Sequence, residues 1–233
     1  MLRSRPITLA FLILSMGLIT SAAVAQPAAS QGTVDFYQKV VGDWVGTYEH
    51  TTDGEQAEDI YFKFSVEQAD PTSFTSEFAY YRQDEATGEP TPAGSALIKS
   101  KVQADGSVQN VISGKGTIRI DQKLKPQTYN LVETLCKSDC GLSGDIAGKV
   151  SVSDLPFGLG KNGRVYNGSS AWSIDGDVLT IQQSIKAGFK VLLFSKSYSL
   201  LATSKATRGT DVAAIMKKAR IAEKPSETIR SGS

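Results

Sequence analysis

The stretch Asp59-Ile60-Tyr61-Phe62-Lys63-Phe64-Ser65-Val66-Glu67 alternates apolar and polar residues with a period of two. Ile60, Phe62, Phe64 and Val66 share one face, and Tyr61, Lys63, Ser65 and Glu67 share the other, which is the pattern of a half-buried β-strand. Similar runs follow at Phe74–Arg82, Ser95–Gln103, Val108–Ile112, Thr117–Asp121, Tyr129–Leu135, Ile146–Val152, Arg164–Ile174, Val178–Ile185 and Val191–Thr203, with Trp44–His50 before them. Asp105-Gly106 and Asp175-Gly176-Asp177 supply hairpin turns between them. Most connections are too short for the helical crossover that parallel strands require. The chain is therefore read as all-β and antiparallel, with about ten strands. One apolar face has to be buried, either by closing the sheet into an up-and-down barrel, the first expectation, or by stacking two sheets as a β-sandwich, the alternative.

Short helices frame the strands. Thr33–Val41 carries Phe36, Val40 and Val41 at near-helical spacing and stops at Gly42. Thr210-Asp211 can cap a second helix, with Val212, Ile215, Met216 and Ala219 along one stripe. The 233 residues carry a formal charge of +1, and 40% are apolar against 21% charged. That balance supports a folded core and excludes the basic field that nucleic acid binding needs.

The first 25 residues read as a targeting segment. Arg3 and Arg5 precede an apolar run from Ile7 to Ile19, and small residues at Ala23 and Ala25 place cleavage between Ala25 and Gln26. The run is too short to span a bilayer, and no comparable run follows, so no membrane span is expected in the mature protein. The expected organisation is a signal peptide at 1–25, a flexible lead-in at 26–32, a barrel domain with its helices at 33–222 and a disordered tail at 223–233. A secreted or periplasmic location follows, and with it a disulfide between Cys136 and Cys140, clipping the tip of a hairpin.

Chemical motifs are sparse. No G-x-S-x-G elbow, S-x-x-K, H-E-x-x-H or P-loop is present. Gly158-Leu159-Gly160-Lys161-Asn162-Gly163 matches G-x-G-x-x-G in letters but opens a strand, so it lacks the helix that would receive a pyrophosphate. It reads as a glycine loop, whose neighbours Pro156, Phe157 and Leu159 suit either the rim of the core or a cover over a barrel end. His50 is the one histidine, read as a solvated residue next to a turn. No metal site and no cofactor are expected.

Gly42-Asp43-Trp44-Val45-Gly46 resembles the G-x-W opening of lipocalin-like (calycin) barrels, and more closely the G-x-W-x-G of nitrobindin-like and fatty-acid-binding-like barrels. The resemblance implies that Gly42 and Trp44 close one barrel end and that Arg208, near the last strand, packs on Trp44. Nitrobindin-like proteins hold haem through a His near the C-terminal end. No His follows His50, so haem is not carried over. The leading expectation is an exported, soluble binding protein for a small, largely apolar ligand, with Phe62, Phe64, Phe78, Tyr80 and Trp172 facing the cavity. The alternatives are a non-catalytic structural or interaction protein of the cell envelope, and a calycin-barrel enzyme using His50 or the cysteines. Oligomeric state is not legible in the sequence.

Overall fold

The computed structural model describes residues 28–56, 60–84, 86–120, 123–153, 162–191 and 194–223. Helix α1 (Ala28–Val40) leads into β1 (Gly42–Thr52), a two-residue β2 (Glu55–Gln56), and then β3 (Ile60–Asp70), β4 (Ser73–Gln83), β5 (Pro90–Val102) and β6 (Val108–Ile120). The chain continues through β7 (Lys123–Ser138), β8 (Gly141–Val152), β9 (Asn162–Asp175), β10 (Val178–Val191) and β11 (Phe194–Arg208) to α2 (Val212–Glu223). From β3 onward each strand pairs antiparallel with its neighbour in sequence, and β1 pairs with both β3 and β11. The seam runs from Trp44 opposite Arg208 to Thr52 opposite Leu200. The sheet is therefore a closed ten-strand barrel, with β2 a short flap on β1, and the two-sheet alternative does not apply.

Alternation decides what lies inside. Ile60, Phe62, Phe64 and Val66 are buried on the inner face of β3, while Lys63 and Glu67 face solvent. Tyr61 points outward yet is buried, because α2 lies against the outer wall there and covers it, together with Val45, with Val212 and Met216. The Asp211 carboxylate accepts a hydrogen bond from the Ala214 N–H at 3.1 Å and caps α2 as its sequence suggests. Helix α1 closes one end of the barrel with Val34, Tyr37 and Val40. The Thr33 hydroxyl donates to the Gly106 carbonyl at 2.6 Å, and the Tyr37 ring stacks on Phe74 at 4.9 Å. The helix begins at Ala28, ahead of the expected Thr33, so residues 28–32 are helical and not a flexible lead-in. Ser30 and Thr33 are buried at this end, which anchors the first turns.

Two strand boundaries differ from expectation for one physical reason. The sequence breaks at Ser113-Gly114-Lys115-Gly116 and again at Ala187-Gly188, but β6 and β10 run straight through both. A β-carbon on Gly114 would lie 2.3 Å from Cζ of Tyr129, so the tyrosine ring lies over the bare backbone of its cross-strand partner. Tyr166 covers Gly188 in the same manner on the outer face. What reads as a gap in a strand is the seat of a neighbouring ring.

Candidate ligand-binding cavity

Near α1 the barrel is filled by large rings. Trp44 stacks on Phe64 (centroids 6.1 Å, planes 8° apart), Phe64 stacks on Phe78 (4.4 Å, 4°), and Tyr37 meets Trp172 at 6.3 Å. Toward the opposite end the inner face carries smaller residues, among them Ala93, Gly94, Ala96, Gly116 and Ala187, and the interior opens into a cavity of about 170 Å³. Apolar cavities of about 150 Å³ accept a benzene-sized guest. The walls are largely aliphatic and aromatic, with Ile98, Ile112, Leu131 and Val150 beside the rings.

Three of the five aromatic candidates, Phe78, Tyr80 and Trp172, line this cavity. Phe62 and Phe64 also face inward, but they are spent in the ring stack and do not line it. The sequence reading missed Tyr48, Tyr129 and Gln183, which complete the lining. Tyr48 was open to detection, since it shares the inward alternation of Trp44. Tyr129 was open to detection too, since it shares the inward alternation of Leu131 and Leu135, and Gly114 opposite leaves room for its ring.

His50 is corrected outright. It is buried on the inner face and lines the cavity instead of sitting in a solvated turn. The turn falls three residues later, at Asp53-Gly54, where both residues have positive φ (52° and 85°) and join β1 to β2 in a two-residue hairpin. The Asp53 carboxylate accepts from the Ser199 N–H at 2.8 Å and fixes that turn to β11.

At the α1 end, the Arg208 guanidinium lies 4.1 Å from the centroid of the Trp44 ring and donates to the carbonyls of Lys39 and Val41. It thus caps the C-terminus of α1, where a cation suits the helix dipole. The Trp44 indole N–H donates to the Val40 carbonyl at 2.7 Å. Gly42, with φ of +114°, makes the turn from helix to strand.

The expected disulfide is not formed: Cys136 and Cys140 are free and exposed. Cys136 lies within β7 opposite Ser143, whereas Cys140 is in the two-residue turn beyond Ser138. Extended strand separates the two by more than the 4.4–6.8 Å between α-carbons that a disulfide tolerates. The cleavage residues Ala25 and Gln26, the tail from 224, and Pro156, Phe157 and Leu159 of the glycine loop lie outside the described residues. Among the described residues no group of three His, Cys, Asp or Glu side chains could hold a metal ion.

The polar content of the interior is concentrated. Burial pushes the hydroxyls of Tyr48 and Tyr80 well above their ordinary acidity range and that of Tyr129 up to about 12, so all three remain neutral donors. The Tyr80 hydroxyl donates to that of Tyr129. Below the cavity, Ser100, Asn110 and Glu133 are successive cross-strand partners on β5, β6 and β7. Tyr37 donates to Asn110 Oδ1 at 2.9 Å, and Asn110 Nδ2 donates to Glu133 Oε2 at 2.6 Å.

Burial raises the acidity range of the Glu133 carboxyl, against the opposing pull of Ser170, Asn110, Trp172 and Gln183. A carboxyl whose folded pKa is raised favours folding below its ordinary value of 4.5, and that contribution is lost as pH climbs through the folded value. Relative to Glu133→Gln, the native protein therefore loses stability as the pH rises over the range above about 4.5. Urea unfolding midpoints of the two proteins across that range check this, and parallel curves would contradict it.

The chain forms a closed antiparallel barrel of ten strands, with a helix before it and another after. No protein-family model matches the chain, and no curated protein matches it. Among solved structures, it is similar to Rv2717c from M. tuberculosis, with 13% identity over 76% of this chain and 98% of that one, at a TM-score of 0.45. It is also similar to the S-type phycobiliprotein lyase CPES from Guillardia theta, with 11% identity over 78% of this chain and 96% of that one, at 0.39. Among the described residues no helix is long and apolar enough to cross a membrane.

Proposed function

We propose that this chain is an exported, soluble binding protein that holds a small, largely apolar molecule inside its barrel. One observation carries the reading: an apolar interior cavity of about 170 Å³ in which a few buried polar groups converge. Water in such a space makes few hydrogen bonds with the walls, and an apolar guest that replaces it gains the burial of its own surface. The ring stack at the α1 end makes the floor rigid, so little ordering is required on binding. Export rests on the Arg3 to Ala25 segment, and the G-x-W-x-G opening supports kinship with nitrobindin-like barrels.

Titration with 1-aminoanthracene, whose emission rises in apolar surroundings, tests the reading. Saturable one-to-one binding is expected in the native protein. It should fall by more than tenfold in Ala96→Phe, whose added ring fills the cavity at an overpacking cost of about 1–3 kcal/mol. Absence of saturable binding, or equal binding by a folded Ala96→Phe, would overturn it.

A further inference from the structure

The outer wall of β6–β10 carries charge of one sign. Its outward positions hold Lys115, Lys149, Arg164 and Lys186, all exposed, against one acid among the described residues, Asp145. A chain with 25 basic and 24 acidic residues would place the two signs there in near balance if nothing sorted them. Lys149 stands directly opposite Arg164 across β8 and β9, and Lys186 stands opposite Tyr166 across β10 and β9. Like charges in direct register destabilise a sheet. Among the described residues none of these four cations forms a salt bridge.

The same wall leaves apolar side chains in water. Val111 and Val132 are cross-strand partners at 50% and 40% exposure, and Tyr166 is 40% exposed, with its ring over Gly188, the residue opposite Arg164. Val132 is opposite Ala147, two positions along β8 from Lys149, so the valine pair adjoins the cation pair. On the other side of the barrel, α2 covers the outward residues Val45 and Tyr61. Apolar groups that protrude among unpaired cations mark a contact surface. A hydrophilic polyanion would use the charges and leave the valines in water. An anionic bilayer uses both, since its phosphates meet the cations, its acyl boundary takes the valines, and tyrosine suits the headgroup level.

We propose that this wall docks on an anionic lipid bilayer, with Lys115, Lys149, Arg164 and Lys186 on the headgroup phosphates and Val111, Val132 and Tyr166 at the acyl boundary. The four cations lie on the halves of their strands away from α1, so docking brings the cavity end of the barrel toward the bilayer. The docking does not require the cavity to hold a ligand.

Co-sedimentation of the mature protein with vesicles tests this, using phosphatidylcholine alone and an equal mixture of phosphatidylcholine and phosphatidylglycerol. Binding to the mixed vesicles is expected, with far weaker binding to phosphatidylcholine, and added salt should reduce it. Each cation at such a surface contributes about fivefold in affinity, so Lys149→Gln, Arg164→Gln and Lys186→Gln together should lower it by about a hundredfold. That triple variant should lose no stability, because it removes a like-charge pair. Should it fail to fold, Arg164→Gln alone decides, with an expected loss of about fivefold. Val111→Thr with Val132→Thr should weaken vesicle binding severalfold while all four cations remain. No binding to the mixed vesicles, equal binding to both kinds, or undiminished binding by the folded charge variants would overturn the proposal. Vesicle binding that the two valine substitutions leave unchanged would overturn it too, and with heparin held as tightly would assign the wall to a soluble polyanion.

Discussion

Gly46→Ala will open the barrel at its seam. Gly46 lies on β1 between Phe62 of β3 and Ala206 of β11, within the pairing that closes the sheet. A β-carbon there would fall 1.9 Å from the Lys205 carbonyl oxygen and 2.8 Å from the Ala206 α-carbon. Both are backbone atoms, so no side chain can swing aside; one strand has to withdraw and surrender cross-seam hydrogen bonds. A loss of about 4 kcal/mol or more is expected, in the range reserved for broken core backbone. That is a large part of the stability of an ordinary domain. The added methyl does no harm where it has room. Gly54→Ala meets nothing within 4 Å and suffers only from its φ of +85°, so about 1 kcal/mol is expected there. Urea unfolding followed by tryptophan fluorescence compares the two. A Gly46→Ala protein within 1 kcal/mol of the native one would show that the seam tolerates separation.

Trp44→Ala is the second large effect. The side chain is fully buried, stacks on Phe64, receives the Arg208 guanidinium on its other side and donates to the Val40 carbonyl. It therefore joins α1, the first strand, the last strand and the floor of the cavity in one contact. Removal of the ring should cost about 3–5 kcal/mol. Trp44→Phe keeps the stack but loses the N–H donor and part of the cation–π attraction, so about 1–2 kcal/mol is expected. The two midpoints should fall in that order. Equal losses would mean that the hydrogen bond, not the ring, secures this end.

Much of this architecture was legible in the residues themselves. Alternation over Asp59–Glu67 sorted four inward side chains from their outward neighbours, of which Tyr61 is nonetheless covered by α2, and short antiparallel connections left closure as the first choice. Glycine misled the reading, because Gly114 and Gly188 resemble strand breaks until the rings that cover them are known. Tyr129 and Tyr166 cover them from across the sheet, and no local pattern announces that. His50 was misplaced because the turn was set next to it, although the two positive-φ residues are Asp53 and Gly54. The candidate site was only partly visible. Phe78, Tyr80 and Trp172 followed from alternation, whereas the buried polar group around Glu133 is assembled from strands far apart in sequence.

The division of the interior follows from where bulk is spent. Trp44, Phe62, Phe64, Phe74 and Tyr37 fill the end under α1, and small residues on β5, β6 and β10 leave the other end unfilled. A barrel of ten strands encloses more space than its wall side chains fill unless large residues occupy every level. Here they occupy one end only.

Native mass spectrometry of the protein purified from its own host tests the central claim most directly. The expected spectrum shows the folded chain carrying one small, largely apolar molecule, released on unfolding and missing from folded Ala96→Phe. A native mass equal to that of the bare chain, unchanged by Ala96→Phe, would contradict the account.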